Sequence, residues 1–303
     1  MSDWLFIGPT LRSGIGQANK KYANILDAEY IVFGERPKRK RYSKGFAFIL
    51  PTTPAYEYPC DTMFYMTVCE TEPVNEVYRQ LTRHKEIFCP SEFSMKILEK
   101  QFPEVTWKLL RHWAPERPHK CPSDNIPYTF YTIGNVIDSR KNINSLLEAF
   151  HLCKFGSEAR LLIKATCNQD FTIDVPGVIV LKNFMSDEQL DRIHDSCHCY
   201  INCSHSEGVG MGAVEAALRS KPVIITEYGG LKEYVKTPWV ITSPKGPIGF
   251  DDFLFKREHE WGHPSNTDII RCLKECFEKK VSFWDHTHTR VLMDQVQTQL
   301  KAL

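Results

Sequence analysis

The chain has 303 residues, 42% apolar and 25% charged, which suits a soluble globular protein with room for one large domain or two ordinary ones. A formal net charge of +1 argues against a dedicated nucleic-acid binder, so no nucleic-acid partner is expected. No stretch has the apolar length that crosses a bilayer, and MSDWLFIGPTLRSG lacks the basic lead and long apolar run of a signal peptide. Eleven cysteines, odd in number and scattered, fit free thiols in a reducing, cytoplasmic compartment.

Along the chain, short apolar runs alternate with amphipathic stretches, the pattern of βα units and a parallel sheet. WLFIG, from Trp4, reads as a strand, followed by the turn Ser13-Gly14-Ile15-Gly16 and a helix over Ile15–Leu26. Glycines at such a turn let backbone amides approach a phosphate, with the helix dipole assisting. Asn19 stands where a dinucleotide fingerprint has its third glycine, so the match to a NAD site is poor. Arg36, Lys38, Arg39, Lys40, Arg41 and Lys44 form the basic run RPKRKRYSK. It reads as a solvated loop, with contact to an anionic membrane surface or a charged acceptor as the alternative.

Further strands are expected at YIVF (from Tyr30), FAFIL (from Phe46), MFYMT (from Met63), EIFCP (from Glu86) and WKLLRHW, which ends at Trp113. Helices are expected over Val74–Thr82 and Ser91–Gln101, with the Ser91 hydroxyl able to accept from free amides of the first turn. His112 ends a strand, as a packing histidine or a site residue. Ala114–Pro127, APERPHKCPSDNIP, carries four prolines and little apolar content, so it reads as a linker.

The alternation then restarts with strands TFYTIGN, ARLLIKA, VIVLKNF, HCYINC, PVIIT and WVITS, and helices over Ile143–Cys153, Asp187–Cys197, Gly210–Arg219 and Thr267–Lys280. The near-continuous hydrophobicity of PVIIT and ARLLI suits strands covered on both faces. Lys141 stands at a helix start, where the dipole disfavours a cation, and a bound phosphate would offset the conflict. Cys197, Cys199 and Cys203, with His198 and His205, could be imagined as zinc ligands. The paired CxxC knuckles of a structural site are missing, and Cys199, Ile201 and Cys203 share one strand face, so they read as buried apolar residues. Cys272 and Cys276, a helical turn apart, also read as packing residues.

The densest signal is SHSEGVGMGAVEAALRSKPVIITEYGG, from Ser204 to Gly230. Glu207 lies in a loop after a strand, and Glu215 on the first turns of the next helix. Gly208, Gly210 and Gly212 free backbone amides to face a negative group, and neither acid has a cation nearby in sequence. Paired acids also occur in hydrolytic sites. Glycines beside a helix N-terminus argue instead for an anionic ligand, with Glu215 able to accept both hydroxyls of a ribose.

EGVGMGAVE resembles the E-x7-E motif of retaining glycosyltransferases with the two-domain GT-B fold, most closely glycosyltransferase family four. IGNVIDSRKNINSLLEAF is similar to that family's glycine-rich donor-phosphate segment. FMSDEQLDRIHDSCHCYINCSHSEG is similar to its approach to the motif, SKPVIITEYGGLKEYV to its exit, and CPSEFSMKIL to the close of its first domain. The resemblance implies an α/β protein of GT-B architecture, two Rossmann-like domains with parallel sheets facing a central cleft. The expected division is an acceptor domain over 1–113, a linker over 114–127, a donor domain over 128–283 and a C-terminal helix over 284–303 packing back on the first domain.

Carried onto these positions, the resemblance implies that Glu207 binds the transferred sugar and Glu215 the nucleotide ribose. Lys141 would neutralise the diphosphate, and the amides of Gly208, Val209, Gly210, Met211 and Gly212 would line sugar and phosphates. The turn holding Gly14 and Gly16 would approach from the opposite domain. The family has an arginine six positions before that lysine, where this chain has Asn135; Arg140 or Arg12 would be the substitute. Glu70, beside Glu72, is the expected acceptor contact, and backbone around Lys182–Met185 the base contact. The implied activity moves a sugar, with retention and without a metal or other cofactor, from a UDP- or GDP-sugar to a carbohydrate or lipid-linked acceptor. The implied place is cytoplasmic, with peripheral membrane contact through the basic run. The alternative is a non-catalytic nucleotide-sugar-binding protein or subunit of the same fold.

Overall fold

The computed structural model describes residues 3–123, 126–167, 169–252 and 254–303. The chain forms two compact units, one of residues 1–114, 247–261 and 292–303, the other of residues 115–246 and 262–291. The linker expected over 114–127 therefore belongs almost wholly to the second unit; its residues 124 and 125 lie outside the described ones.

The first unit holds a parallel sheet of β1 (Trp4–Gly8), β2 (Glu29–Val32), β3 (Tyr42–Phe48), β4 (Cys60–Met66), β5 (Glu86–Cys89) and β6 (Thr106–Leu109), in the order β2-β1-β3-β4-β5-β6. Successive strand residues point to opposite faces, and both faces are buried: Leu5 and Ile7 pack in one cluster, Phe6 with Phe46, Phe48 and Phe88 in the other. That is why β1, WLFIG, reads as a continuous apolar run instead of an alternating one. Helix α1 (Gly14–Ile25) is capped by Ser13, whose Oγ accepts from the Gly16 amide at 3.0 Å. Helix α2 (Glu92–Gln101) is capped by Ser91 as its sequence predicts, with Oγ 3.3 Å from the Ser94 amide. The helix expected over Val74–Thr82 is instead a 3-10 turn, Glu76–Arg83. Its buried side chains, Tyr78 and Leu81, are three residues apart, and three residues per turn stacks them on one face.

The second unit holds β7 (Tyr128–Gly134), β8 (Ala159–Ala165), β9 (Val178–Leu181), β10 (Cys199–Asn202), β11 (Val223–Thr226) and β12 (Val240–Ile241), all parallel, in the order β12-β11-β10-β7-β8-β9. Numbered within the unit and read from β9, this is 3-2-1-4-5-6, the doubly wound dinucleotide-fold order. The helices are α3 (Ile143–Cys153), α4 (Asp187–Ser196), α5 (Met211–Ala217), α6 (Leu231–Tyr234), α7 (Asn266–Glu278) and α8 (Thr287–Ala302). Ser186 and Gln189 close a reciprocal capping box on α4. From Leu292 onward α8 clusters with the first unit, where Val296 and Leu300 join the Phe6–Phe46 core.

The cysteine readings follow the strand faces. Cys199, Ile201 and Cys203 enter one core with Cys272 and Cys276. His198 is turned elsewhere, its Nδ1 accepting the Thr129 amide at 3.0 Å.

Candidate nucleotide-sugar site

In an open parallel sheet a ligand binds beyond the carboxyl ends of the two strands where the order reverses. In the second unit those strands are β7 and β10. The loops that leave them are Asn135–Asn142 and Cys203–Gly210, the two segments singled out by sequence. They are tied together directly: the His205 amide donates to the Arg140 carbonyl at 2.8 Å, and Asn142 Nδ2 to the Cys203 carbonyl at 3.2 Å. A small cleft beside them is lined by Thr132, Gly134, Lys141, Ile143, Asn202 and Ser204.

Glu207 is buried in this crevice, and the fold supplies the cations that the local sequence lacks. Its Oε1 accepts from Lys141 Nζ at 2.6 Å, Ser204 Oγ at 2.7 Å and Asn202 Nδ2 at 3.1 Å. Its Oε2 accepts from Arg140 Nη1 at 3.0 Å. Burial alone would raise the carboxyl pKa, but Lys141 and Arg140 outweigh it and hold the group well below the ordinary carboxylate range. Glu207 is thus an anion at neutral pH. The Glu207 backbone is clamped as well. The Gly230 amide donates to its carbonyl at 2.7 Å, and at Gly229, with φ of +96°, a side chain would press on the Glu207 backbone.

The fold adds partners that the local sequence does not show. Glu207 is not isolated from cations, because β7 and β10 pair and bring their loops together across sixty-odd residues of sequence. Lys141 likewise has an anionic partner within the fold. It ends a 3-10 turn, Ser139–Lys141, and Glu207 supplies the counter-charge. Arg140 stands beside it, held by Asp138 at 3.2 Å and the Ser206 carbonyl at 2.8 Å. It therefore brings a guanidinium to the site where the resembled family has an arginine at the Asn135 position. Asn135 keeps a buried Oδ1 without a hydrogen-bond partner.

The glycines divide by role. Gly210, at φ +74°, is the residue before α5, in the left-handed region that favours glycine. Gly212 lies in the first turn of α5, and a Cβ there would collide with the Tyr200 hydroxyl, so packing requires this glycine. Val209 is buried, while Met211 opens α5 as its first residue. Glu215, on the same helix, faces His194 of α4, whose Nε2 is 3.6 Å from its Oε2.

Sequence reasoning missed Asn202, Ser204 and His194. A polar pair immediately before a loop acid was the available signal for the first two; nothing local pointed to His194, on α4, as the partner of Glu215.

Gly14, Gly16, Arg12, Glu70, Glu72, His112 and the basic run belong to the first unit. Gly16 is packed against the Pro9–Thr10 backbone, where a Cβ would clash, whereas the space at Gly14 is open. Backbone of Glu72 pairs with Glu260, each amide donating to the other's carbonyl at 3.1 and 2.5 Å. His112 is a packing residue: it is 4% exposed, stacks on Phe48 at 5.8 Å and meets the Tyr22 hydroxyl at 3.0 Å. Burial lowers its pKa to about 3. In the basic run Arg36, Lys38, Lys40 and Arg41 are exposed, and Arg41 pairs with Asp61 at 2.7 Å. In the expected base-contact segment, Phe184 is 64% exposed.

Residues 122–238, which contain both loops and both glutamates, match the family model described as Glycosyl transferases group 1. Among solved structures, a UDP-forming α,α-trehalose-phosphate synthase from Burkholderia xenovorans superposes at a TM-score of 0.60 with 7% identity, over 99% of this chain and 96% of that one. The lipopolysaccharide outer core galactosyltransferase WaaB gives 0.53 at 11% identity, over 98% and 94%. The fold is GT-B. TarM gives 0.52 at 10% identity over 86% of this chain, but this chain spans only 50% of TarM, and likewise about half of several other matched structures. No curated protein sequence matches. Among the described residues no helix is long and apolar enough to cross a membrane.

Proposed function

We propose that this chain is a retaining glycosyltransferase of the family-four type, which moves a sugar from a UDP- or GDP-sugar to a hydroxyl of a carbohydrate or lipid-linked acceptor. The observation that carries this reading is the buried Glu207, bonded to Lys141 and Arg140 at the switch point of the second sheet. In a GT-B fold that crevice is where an activated donor belongs. The names of the matched structures, a UDP-forming synthase and a galactosyltransferase, support a nucleotide-sugar donor.

In this reading Lys141 and Arg140 take the donor diphosphate, and the amides of Gly208, Val209, Gly210, Met211 and Gly212 line the sugar and phosphates. Glu207 accepts from hydroxyls of the transferred sugar, and Glu215 from the ribose. As the bond between the anomeric carbon and the diphosphate oxygen breaks, negative charge grows on the leaving phosphate, and two fixed cations stabilise it more than the ground state. The acceptor oxygen forms its bond on the face the diphosphate leaves, and its proton passes to the departing β-phosphate. Configuration is retained without a protein nucleophile, and the cations take the part a metal plays elsewhere. Gly14 and Gly16 would approach the phosphates from the first unit, Glu70 the acceptor, and backbone around Lys182–Met185 the base. Cytoplasmic action with peripheral membrane contact through Arg36–Lys44 is part of the proposal.

Asn135, in the place of the family's arginine, favours a second reading, a non-catalytic nucleotide-sugar-binding subunit. The deciding experiment is nucleotide release from UDP-, GDP-, ADP- and TDP-sugars without acceptor, beside Glu207→Ala and Glu215→Ala. Slow release from one donor, abolished in either variant, supports the transferase. Binding without release over long incubation and across many acceptors supports the second reading, and absence of binding to every donor refutes both.

A further inference from the structure

Among the described residues two lysines are buried, Lys221 and Lys164. Burying an ammonium is costly unless its N–H groups are bonded. Lys221 meets that need with backbone alone: its Nζ donates to the carbonyls of Lys120 at 2.6 Å, Cys197 at 2.9 Å and Asp195 at 3.5 Å. Lys164, 2% exposed, donates to a single carbonyl, that of its neighbour Ala165, and no ion pair joins it to a carboxylate among the described residues. Burial lowers its pKa. An ammonium has three N–H donors and a neutral amine two, so in either state Lys164 keeps a donor that the fold does not use.

The sheet says where that donor lies. Leu161 and Ile163 enter the core shared with α3 and α7, so Lys164 alternates to the other face of β8. It pairs with Ile133 of β7 on one side and with Leu181, the last residue of β9, on the other. The next residue, Ala165, pairs with Gly134, where a Cβ would lie 3.8 Å from the Lys141 side chain. Lys164 is therefore one strand away from the crevice that holds Lys141, Arg140 and Glu207. Leu181 leads directly into Lys182–Met185, the segment expected to meet the base. Lys182 in turn donates to the Phe171 carbonyl, in the loop after β8, with its Nζ 4.6 Å from the Phe171 ring centroid. The loops that leave β8 and β9 thus form one wall, and Lys164 stands at its foot.

We propose that Lys164 is a specificity-determining residue that reads the base of the donor nucleotide. It donates to the ring carbonyl farthest from the sugar, O4 of uracil or O6 of guanine, so the site takes these keto bases and refuses cytosine and adenine. This rests on the reading of the crevice as a nucleotide-sugar site. A nucleotide held by its diphosphate at Lys141 and Arg140, with its base along the β8–β9 wall, sends deepest the edge opposite its glycosidic bond. That edge carries a carbonyl acceptor in uracil and guanine, and an amino donor in cytosine and adenine. A lysine offers no acceptor to an amino group, and two donors face to face in a buried place both lose their hydrogen bonds.

The test measures, by calorimetry on the full chain, the dissociation constants of UDP, CDP, GDP and ADP. UDP and CDP are the sharpest pair, because they differ only along the edge in question. In wild type UDP is expected to bind about tenfold more tightly than CDP, the worth of one hydrogen bond to a charged group, and GDP more tightly than ADP. Lys164→Met should weaken UDP by about that factor and leave CDP unchanged or tighter, which brings their ratio close to one. Lys164→Gln, whose amide both donates and accepts, should recover part of the UDP affinity and bind CDP more tightly than wild type does. A merely structural lysine would, when replaced, weaken all four nucleotides alike, and a UDP-to-CDP ratio in Lys164→Met equal to that of wild type overturns the proposal. So does a wild type that binds CDP as tightly as UDP, a result that needs no variant. If Lys164→Met does not fold, Lys164→Gln carries the same comparison. Failure of the underlying reading looks different: wild type then binds none of the four nucleotides, and both conclusions fall together.

Discussion

Replacing Glu207 by Gln removes one charge and keeps the shape, and it is expected to act in opposite directions on the empty and the occupied protein. In the empty protein Lys141 and Arg140 lose a counter-ion at 2.6 and 3.0 Å. Their side chains are only 19% and 12% exposed, so water recovers little of the loss. Breaking a buried pair by removing one partner costs roughly 3–5 kcal/mol. Arg140 keeps Asp138 and the Ser206 carbonyl, which places the expected loss toward the lower end, about 3 kcal/mol. A drop in Tm of about 6–12 °C follows for a domain of this size. The same two cations are then free of their internal anion, so a diphosphate binds more tightly, by about tenfold, or ~1.4 kcal/mol. Thermal melts of wild type and variant, with and without inorganic pyrophosphate, read both effects together. Pyrophosphate should raise the variant's Tm by more than wild type's, since the shift grows with ligand concentration over Kd. Turnover, by contrast, should fall about 10²–10³-fold with the loss of an oriented charge at the reacting sugar. An unchanged melting temperature, or a smaller pyrophosphate shift in the variant, would refute the argument that Glu207 and the diphosphate compete for Lys141 and Arg140.

The glycines of the two turns should respond oppositely to alanine. Gly212→Ala drives a methyl into the Tyr200 hydroxyl and should cost about 1–3 kcal/mol by urea unfolding, with Tyr200→Phe relieving part of it; Gly14→Ala meets open space and should be neutral or stabilising by up to about 1 kcal/mol. Acid sensitivity should begin above the carboxylate range. His112 is held near 3 by burial, so from pH 6.5 down toward 3 the unfolded chain binds a proton that the folded one refuses. Its stabilising contribution is whole above pH 6.5 and is lost as pH falls through that window; denaturant midpoints of His112→Asn between pH 7 and 5 should be flatter than those of wild type, and equal slopes would count against it.

Much of the fold was legible because each signal was local. WLFIG, ARLLIKA and Ile143–Cys153 begin and end within their own apolar runs, and the Ser91 cap needs only the three residues that follow it. The segment at Val74–Thr82 misled because two buried side chains three apart fit a 3-10 turn as well as an α-helix. Residues 247–261, inside the span expected to form a single donor domain, cluster with the first unit, and nothing in their own composition marks that.

What the sequence determined by itself is the βα alternation, the doubly covered strands and the presence of two acids separated by glycines at the start of a helix. These depend on hydrophobic period and turn chemistry, which act over a few residues. Tertiary structure alone decided the electrostatic identity of those acids. Glu207 is a buried carboxylate clamped by Lys141 and Arg140 only because β10 pairs with β7, and Glu215 meets His194 only because α4 lies beside α5. A charge's neighbours are set by distance in space, and a parallel sheet brings together loops that the chain keeps sixty or more residues apart.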